Sequence, residues 1–219
     1  MVEPHNRRPS EWRRLFGIAC DLLDQVAGHT GGYPFQWSFG GGTAMMIQIG
    51  HRESHDIDIF LDDGQILGFL DPAKVDLLFE EIPASYGGDG ARFQKFAFED
   101  IGEIDFIAAG PLTAAPFAVH EIDGREVKLT KKVYHRGSEA KPRDVFDIAA
   151  AARGHRIEVV TALRSYPNEV AKTLVRFSKL NPQFVATTIK QLMILPDYLE
   201  IADDSLAIAT GLLNEVADR

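Results

Sequence analysis

Gly40-Gly41-Gly42 opens a short apolar stretch running to Ile49, and thirteen residues separate Gly42 from Asp56-Ile57-Asp58-Ile59-Phe60. Few folds can place a glycine turn, one short helix and a strand with alternating acids so close together. Side chains two apart in a strand share a face, so Asp56 and Asp58 converge while Ile57 and Ile59 pack behind them. The pair repel each other unless a cation or an arginine lies between them. Beside backbone N–H groups left open by glycine, they suit a hard cation such as Mg²⁺ carrying a nucleoside triphosphate. A glycine cluster alone reads as a tight turn, and an acid pair alone as a strand end. Together they favour a phosphate cradle, with Gly41, Gly42 and Thr43 at the N-terminus of a helix whose unpaired N–H groups attract an anion.

The rest of the chain supports an α/β (α+β) core followed by helices. Trp12, Leu15, Phe16, Ala19, Leu22, Leu23 and Val26 recur at helical spacing after Ser10, the expected N-cap. A strand over 36–39, the helix over 43–49 and a central strand over 56–61 follow. Asp71-Pro72 predicts a helix over 72–81. Strands are expected over 92–98 and 103–108, then a hairpin over 119–122 and 126–129 turning on Asp123-Gly124. Beyond Thr130 helical periodicity takes over, punctuated by Pro142, Pro167, Pro182 and Pro196. The predicted division is therefore residues 1–130 as a mixed sheet flanked by helices, and residues 131–219 as a helical region packed on it.

The net charge of −9 argues against a surface that is basic throughout, and a lone Cys20 excludes an intrachain disulfide and a cysteine-based zinc site. No run approaches the length of a membrane span, and a cytoplasmic location is expected. One cationic concentration stands out: Arg125, Lys128, Lys131, Lys132, Arg136, Lys141 and Arg143. It reads either as a solvated surface or, preferably, as a positive wall facing phosphates.

A phosphoryl-transfer site with two ions needs a third carboxylate on a neighbouring strand. Asp105, a lone acid in the apolar segment Ile104-Asp105-Phe106-Ile107, is the candidate, with Glu103 on the same face as its substitute. Ion pairing with an arginine is the plainer account of Asp105. His51 and His55 read as loop residues, and Arg52 as a guanidinium near phosphate oxygens. Pro142 puts Asp144 and Asp147 early in a helix, where they also favour the helix dipole; Arg143 is a possible partner for Asp147.

The glycine turn followed by Asp-x-Asp resembles the nucleotidyltransferase motif of the polymerase-β-like superfamily. With Gly-Gly-Thr-Ala, His51-Arg52-Glu53-Ser54-His55-Asp56-Ile57-Asp58, a lysine, and the Arg143-Asp144-x-Phe146-Asp147 helix, the chain resembles the AbiEii/AbiGii-type nucleotidyltransferase toxins over about residues 10 to 155. That resemblance implies a nucleotidyltransferase core, Ser54 and Asp56 at the metal and triphosphate, and a lysine at Lys132 or Lys131 with Asp144 beside it. It also implies an antitoxin partner and, as acceptor, the 3′ end of tRNA.

The combined expectation is a Mg²⁺-dependent enzyme that moves a nucleotide from an NTP to an acceptor hydroxyl. Asp56, Asp58 and Asp105 are the expected metal residues, Lys132 and Asp144 complete the catalytic set, and Gly41, Gly42, Thr43, Arg52, Ser54 and Lys132 are expected at the nucleotide. Two rivals remain at this point: a nucleotidyltransferase acting on small molecules such as antibiotics, and a nucleotide-binding module working through a protein partner.

Overall fold

The computed structural model describes residues 9–109, 118–129 and 139–218. Over these residues the chain forms two compact units. One is built from residues 9–44, 54–109 and 118–129, the other from residues 45–53 and 139–218.

The first unit is a mixed sheet with helices. Its elements are α1 (Trp12–His29), β1 (Trp37–Gly40), the start of α2 (Gly41–Ile49), β2 (Ile57–Leu61), β3 (Ser85–Gly88), β4 (Phe93–Phe98), β5 (Gly102–Ala108), β6 (Ala118–Ile122) and β7 (Arg125–Leu129). The seven described strands form one sheet in the order β3-β4-β5-β2-β1-β7-β6. β2 lies at its centre, antiparallel to β1 and parallel to β5. The hairpin from β6 to β7 turns on Asp123-Gly124, both at positive φ, the conformation that Asp-Gly accepts most readily.

Alternation along β2 and β5 makes the two faces of the sheet chemically different. Ile57 pairs with Ile104 and Ile59 with Phe106, all four fully buried. α1 packs against these strands and buries Leu15, Phe16, Ala19, Leu22 and Val26. Burial of this apolar layer stabilises the unit at about 25 cal/mol per Å². The opposite face carries the acids.

Two local expectations change. The N-cap of α1 is Glu11, which makes no side-chain cap bond; the Ser10 hydroxyl, one residue earlier, accepts the Trp12 N–H at 3.3 Å and donates to the Ser54 carbonyl at 2.5 Å. The helix expected over 72–81 is absent. A 3₁₀ turn over Gly64–Leu70 precedes it, and Asp71 starts only a single turn, its carboxylate accepting the Ala73 N–H. Further on, the Gln25 side chain takes both the N–H and the carbonyl of Leu78 at 2.8 Å, replacing the bonds a helix would need there.

The second unit is helical: α3 (Pro142–Leu163), α4 (Pro167–Phe177), α5 (Pro182–Ile189) and α6 (Ser205–Ala217), with a 3₁₀ turn at Pro196–Ile201. Each of the four prolines sits in the first turn of its element, where its missing N–H has no intrahelical acceptor to lose. α3 packs on α6 and α5 around Phe146, Ala149, Ile189 and Leu212, all fully buried. α3 kinks at His155, whose φ of −136° is not helical. No helix among the described residues is long and apolar enough to cross a membrane.

Candidate active site

The acid face of the sheet is set by register. Lys95 on β4 pairs with Asp105 on β5, Asp105 with Asp58 on β2, and Asp58 with Gly40 on β1. Residues paired in this way point to the same side of a sheet, with strands about 4.8 Å apart. Lys95, Asp105 and Asp58 therefore form one row. A second row, one step toward the N-termini of β2 and β5, holds Glu103 and Asp56; the Glu103 N–H donates to Asp56 Oδ1 at 3.3 Å. Sequence spacing places Asp56 and Asp58 together. Asp56 lies just ahead of the first residue of β2.

The glycine turn comes directly up to this row. Gly41 has φ +75°, and a Cβ built on it would lie 1.7 Å from Asp58 Oδ2. Only glycine fits beneath that carboxylate, which is itself nearly buried, 6% exposed. Gly42 follows in α2. Thr43 is fully buried, and its hydroxyl donates to the Asp56 carbonyl at 2.5 Å, tying the start of α2 to the approach of β2. Thr43 thus supports the turn through its side chain, leaving its backbone at the helix N-terminus. Ser54 is nearly buried, and its carbonyl accepts the Ser10 hydroxyl.

Sequence reasoning missed Lys95. Its ammonium makes an ion pair with Glu103 and lies 3.3 Å from Asp105 Oδ1. Partial burial works against its charge, but the two carboxylates outweigh that and raise its pKa above the ordinary lysine value. A lone lysine among the aromatics of Phe93-Gln94-Lys95-Phe96 was the available signal; its partners required the strand register. Among the described residues, no group of three His, Cys, Asp or Glu is already arranged to hold a metal ion.

The helical unit contains a second polar cluster, near the Arg-Asp-x-Phe-Asp segment. Arg52 is 6% exposed, and its Nε and Nη2 reach the two oxygens of Asp147 at 2.7 and 2.8 Å. His51, fully buried, lies 2.9 Å from Asp147 Oδ1 through Nε2 and stacks on Phe146. Burial disfavours the Asp147 carboxylate, yet the Arg52 charge and the bonds from His51 and Arg52 hold its pKa well below the usual range. Asp147 therefore pairs with Arg52, not with Arg143, and His51, a loop residue as expected, is buried in a packed cluster. The backbone beside it is fixed as well: Glu53 N–H donates to the Met193 carbonyl, and Leu195 N–H to the His51 carbonyl.

Asp144 Oδ2 accepts the Lys141 N–H at 2.8 Å, so its carboxylate caps its own helix. Lys131, Lys132 and Arg136 lie outside the described residues. Of the cationic concentration, Arg125 forks onto Asp24 at 2.6 and 3.2 Å, and Lys128 lies 3.4 Å from Gln36 Oε1.

A family described as "Nucleotidyl transferase AbiEii toxin, Type IV TA system" matches residues 30–115. No curated protein matches the chain. MenT4, a nucleotidyltransferase toxin from Mycobacterium tuberculosis H37Rv, is similar in structure at 17% identity and a TM-score of 0.50, covering 92% of this chain and 84% of its own. JHP933 from Helicobacter pylori is similar at 13% identity and a TM-score of 0.44, covering 96% and 94%. The matched segment spans the glycine turn, β2 and β5, which carry the acid face. Over residues 30–115 this chain is thus similar to the nucleotidyltransferase family of the AbiEii toxins.

Proposed function

We propose that the acid face transfers a nucleotidyl group from an NTP to an acceptor hydroxyl, and that the chain acts as the toxin of a toxin–antitoxin pair. One observation carries the reading: Asp58 is paired with Asp105 and seated over Gly41 at the N-terminus of α2. This juxtaposes carboxylates and a helix start that favours phosphate.

Mg²⁺ fits the donors of this face, which are carboxylate oxygens without sulfur or imidazole, and glycine at position 41 is what lets the Asp58 carboxylate sit against the turn. Asp56 and Asp58 are the residues to hold it. When bound with the triphosphate, the ion supplies charge neutralisation at the phosphates. Gly41 and Gly42 let the backbone approach those phosphates. The acceptor oxygen attacks the α-phosphorus and forms the new P–O bond, while the bond to the β-phosphate oxygen breaks and pyrophosphate leaves. Asp105 receives the acceptor proton, which then passes to water. Protein groups here act chiefly by positioning and charge stabilisation.

The family resemblance adds Ser54 at the triphosphate, Lys132 or Lys131 to offset its charge, and Asp144 beside that lysine. It also favours the 3′ end of tRNA as acceptor, with the helical region after residue 130 selecting it. The test is incubation of the purified chain with each labelled NTP, Mg²⁺ and total tRNA, against protein alone. Label in tRNA supports this reading, and label in neither RNA nor protein overturns it.

A further inference from the structure

We infer that Phe93 is a stacking platform for a nucleobase of the acceptor, so that the acid face takes a single-stranded nucleic acid end. The inference rests on the transfer reading proposed above and deepens it by naming a group that holds the acceptor.

Phe93 opens β4 two residues before Lys95, and the two side chains share a side of the sheet. Its partner on β5 is Ile107, and Ile107 is paired with Phe60 on β2. Phe93, Ile107 and Phe60 thus form the row next to Lys95, Asp105 and Asp58. Phe60 is buried and Ile107 half-buried, whereas Phe93 is 40% exposed at the end of the row. The nearby rings of Phe79, Tyr86 and Phe96 pack on one another; among the described residues, that of Phe93 pairs with no other ring. A single exposed phenyl is common on protein surfaces. This one is set apart by standing beside the acids.

The edge strand leaves the approach open. Gly87 on β3 pairs with Lys95, and a Cβ on it would meet nothing within 4 Å. Asp89 fixes the backbone that presents the ring: its carboxylate accepts the Phe93 N–H at 3.2 Å, and its N–H donates to the Phe93 carbonyl at 3.3 Å. A ring on a fixed backbone loses little freedom when a base covers it.

Position assigns that base to the acceptor. The glycine turn, where the triphosphate is expected, adjoins β1 and β2, while β4 lies beyond β5 and Asp105. From strands about 4.8 Å apart and about 3.4 Å per residue, the Phe93 Cα stands roughly 8 Å from that of Asp105 and roughly 12 Å from that of Asp58. One nucleotide bridges the shorter gap, its hydroxyl at Asp105 and its base on Phe93. A phenyl face accepts any base, because every base has a π-face. With a net charge of −9 the chain gains little from general attraction to phosphates, which gives stacking the larger part.

The experiment measures binding, not transfer. A short single-stranded oligoadenylate with a free 3′ hydroxyl is titrated into the purified chain with Mg²⁺ and followed by fluorescence anisotropy; a non-hydrolysable NTP analogue is titrated separately by calorimetry. Phe93→Ala is expected to weaken the RNA roughly 5- to 100-fold and leave the analogue unchanged, with Phe93→Trp restoring the RNA affinity. No RNA binding by wild type, or equal RNA affinity in wild type and Phe93→Ala, would overturn the inference. So would a loss confined to the analogue, which would give the ring to the NTP base. Should Phe93→Ala not fold, as judged by circular dichroism, the emission of Phe93→Trp minus that of wild type decides: quenching by the RNA supports the platform, and no response overturns it. Wild type that binds RNA through Phe93 yet transfers no label would sink the proposed transfer while leaving the platform standing.

Discussion

Asp58 and Gly41 are mutually dependent: the carboxylate Oδ2 lies 1.7 Å from the position a Cβ on Gly41 would take, and Asp58 Cγ lies 2.6 Å from it. The backbone turn and the acid occupy a single volume that no larger residue at position 41 can share. The positive φ at Gly41 adds its own demand for glycine. A sequence motif of small residues before an Asp-x-Asp thus has a concrete packing cause here.

Gly41→Ala is expected to destabilise the fold and abolish transfer. The left-handed backbone alone costs about 1–2 kcal/mol, and the clash adds to it by pushing Asp58 aside. Chemical denaturation should show a smaller effect of Gly41→Ala in an Asp58→Ala background, since the two closest atoms are gone. Equal effects in both backgrounds would mean that the contact is not what fixes the glycine. Gly17, exposed in α1 with nothing within 4 Å of its would-be Cβ, is the control; Gly17→Ala should stabilise by roughly 0.5–1 kcal/mol.

Asp58→Asn keeps the shape over the glycine turn and removes the charge. Nucleotide incorporation should fall on the order of 10²–10³-fold, the scale of losing one electrostatic contact to a transition state. Thermal stability should change little by comparison. A variant that retains most of its incorporation would remove Asp58 from the chemistry.

Much of this was legible in the sequence, because it rests on local chemistry. The alternation of Asp56-Ile57-Asp58-Ile59 predicts that Ile57 and Ile59 pack in the core, although Asp58 is buried too, and the four prolines each mark the first turn of an element. Contacts formed by residues far apart in the chain were not legible. The pairing of Arg52 with Asp147 spans 95 positions, and that of Lys95 with Asp105 depends on a hairpin register. β3, with the sequence Ser-Tyr-Gly-Gly, has no strand signal of its own and exists because β4 offers an edge. The helix expected after Pro72 fails for the same reason: Asp71-Pro72 is a sound local start, but Gln25 claims the backbone of Leu78.

That competition is testable. Gln25→Ala removes both bonds to Leu78 and should cost about 1–2 kcal/mol, as two ordinary hydrogen bonds do. Hydrogen exchange should accelerate at the Leu78 amide while leaving α1 protected. An unchanged Leu78 amide would show that its conformation does not depend on Gln25.

The Arg52–Asp147 pair predicts how acid acts on the helical unit. Burial alone would raise the Asp147 pKa, but the Arg52 guanidinium and the bonds from His51 and Arg52 lower it well beneath the unfolded value near 3.9. A depressed carboxylate contributes stability that is fully present above the unfolded pKa and lost as pH falls toward the folded one. Stability should therefore hold between pH 5 and 7 and decline below about pH 4. Asp147→Ala strands a nearly buried guanidinium and should cost about 3–5 kcal/mol at neutral pH. Asp147→Asn keeps the shape but not the charge, so it should be destabilised as well, and its stability should fall less steeply below pH 4. Urea melts from pH 3 to 7 on wild type and Asp147→Asn compare the slopes directly. If the two slopes are the same, acid unfolding is governed by other carboxylates, and the buried pair plays no part in it.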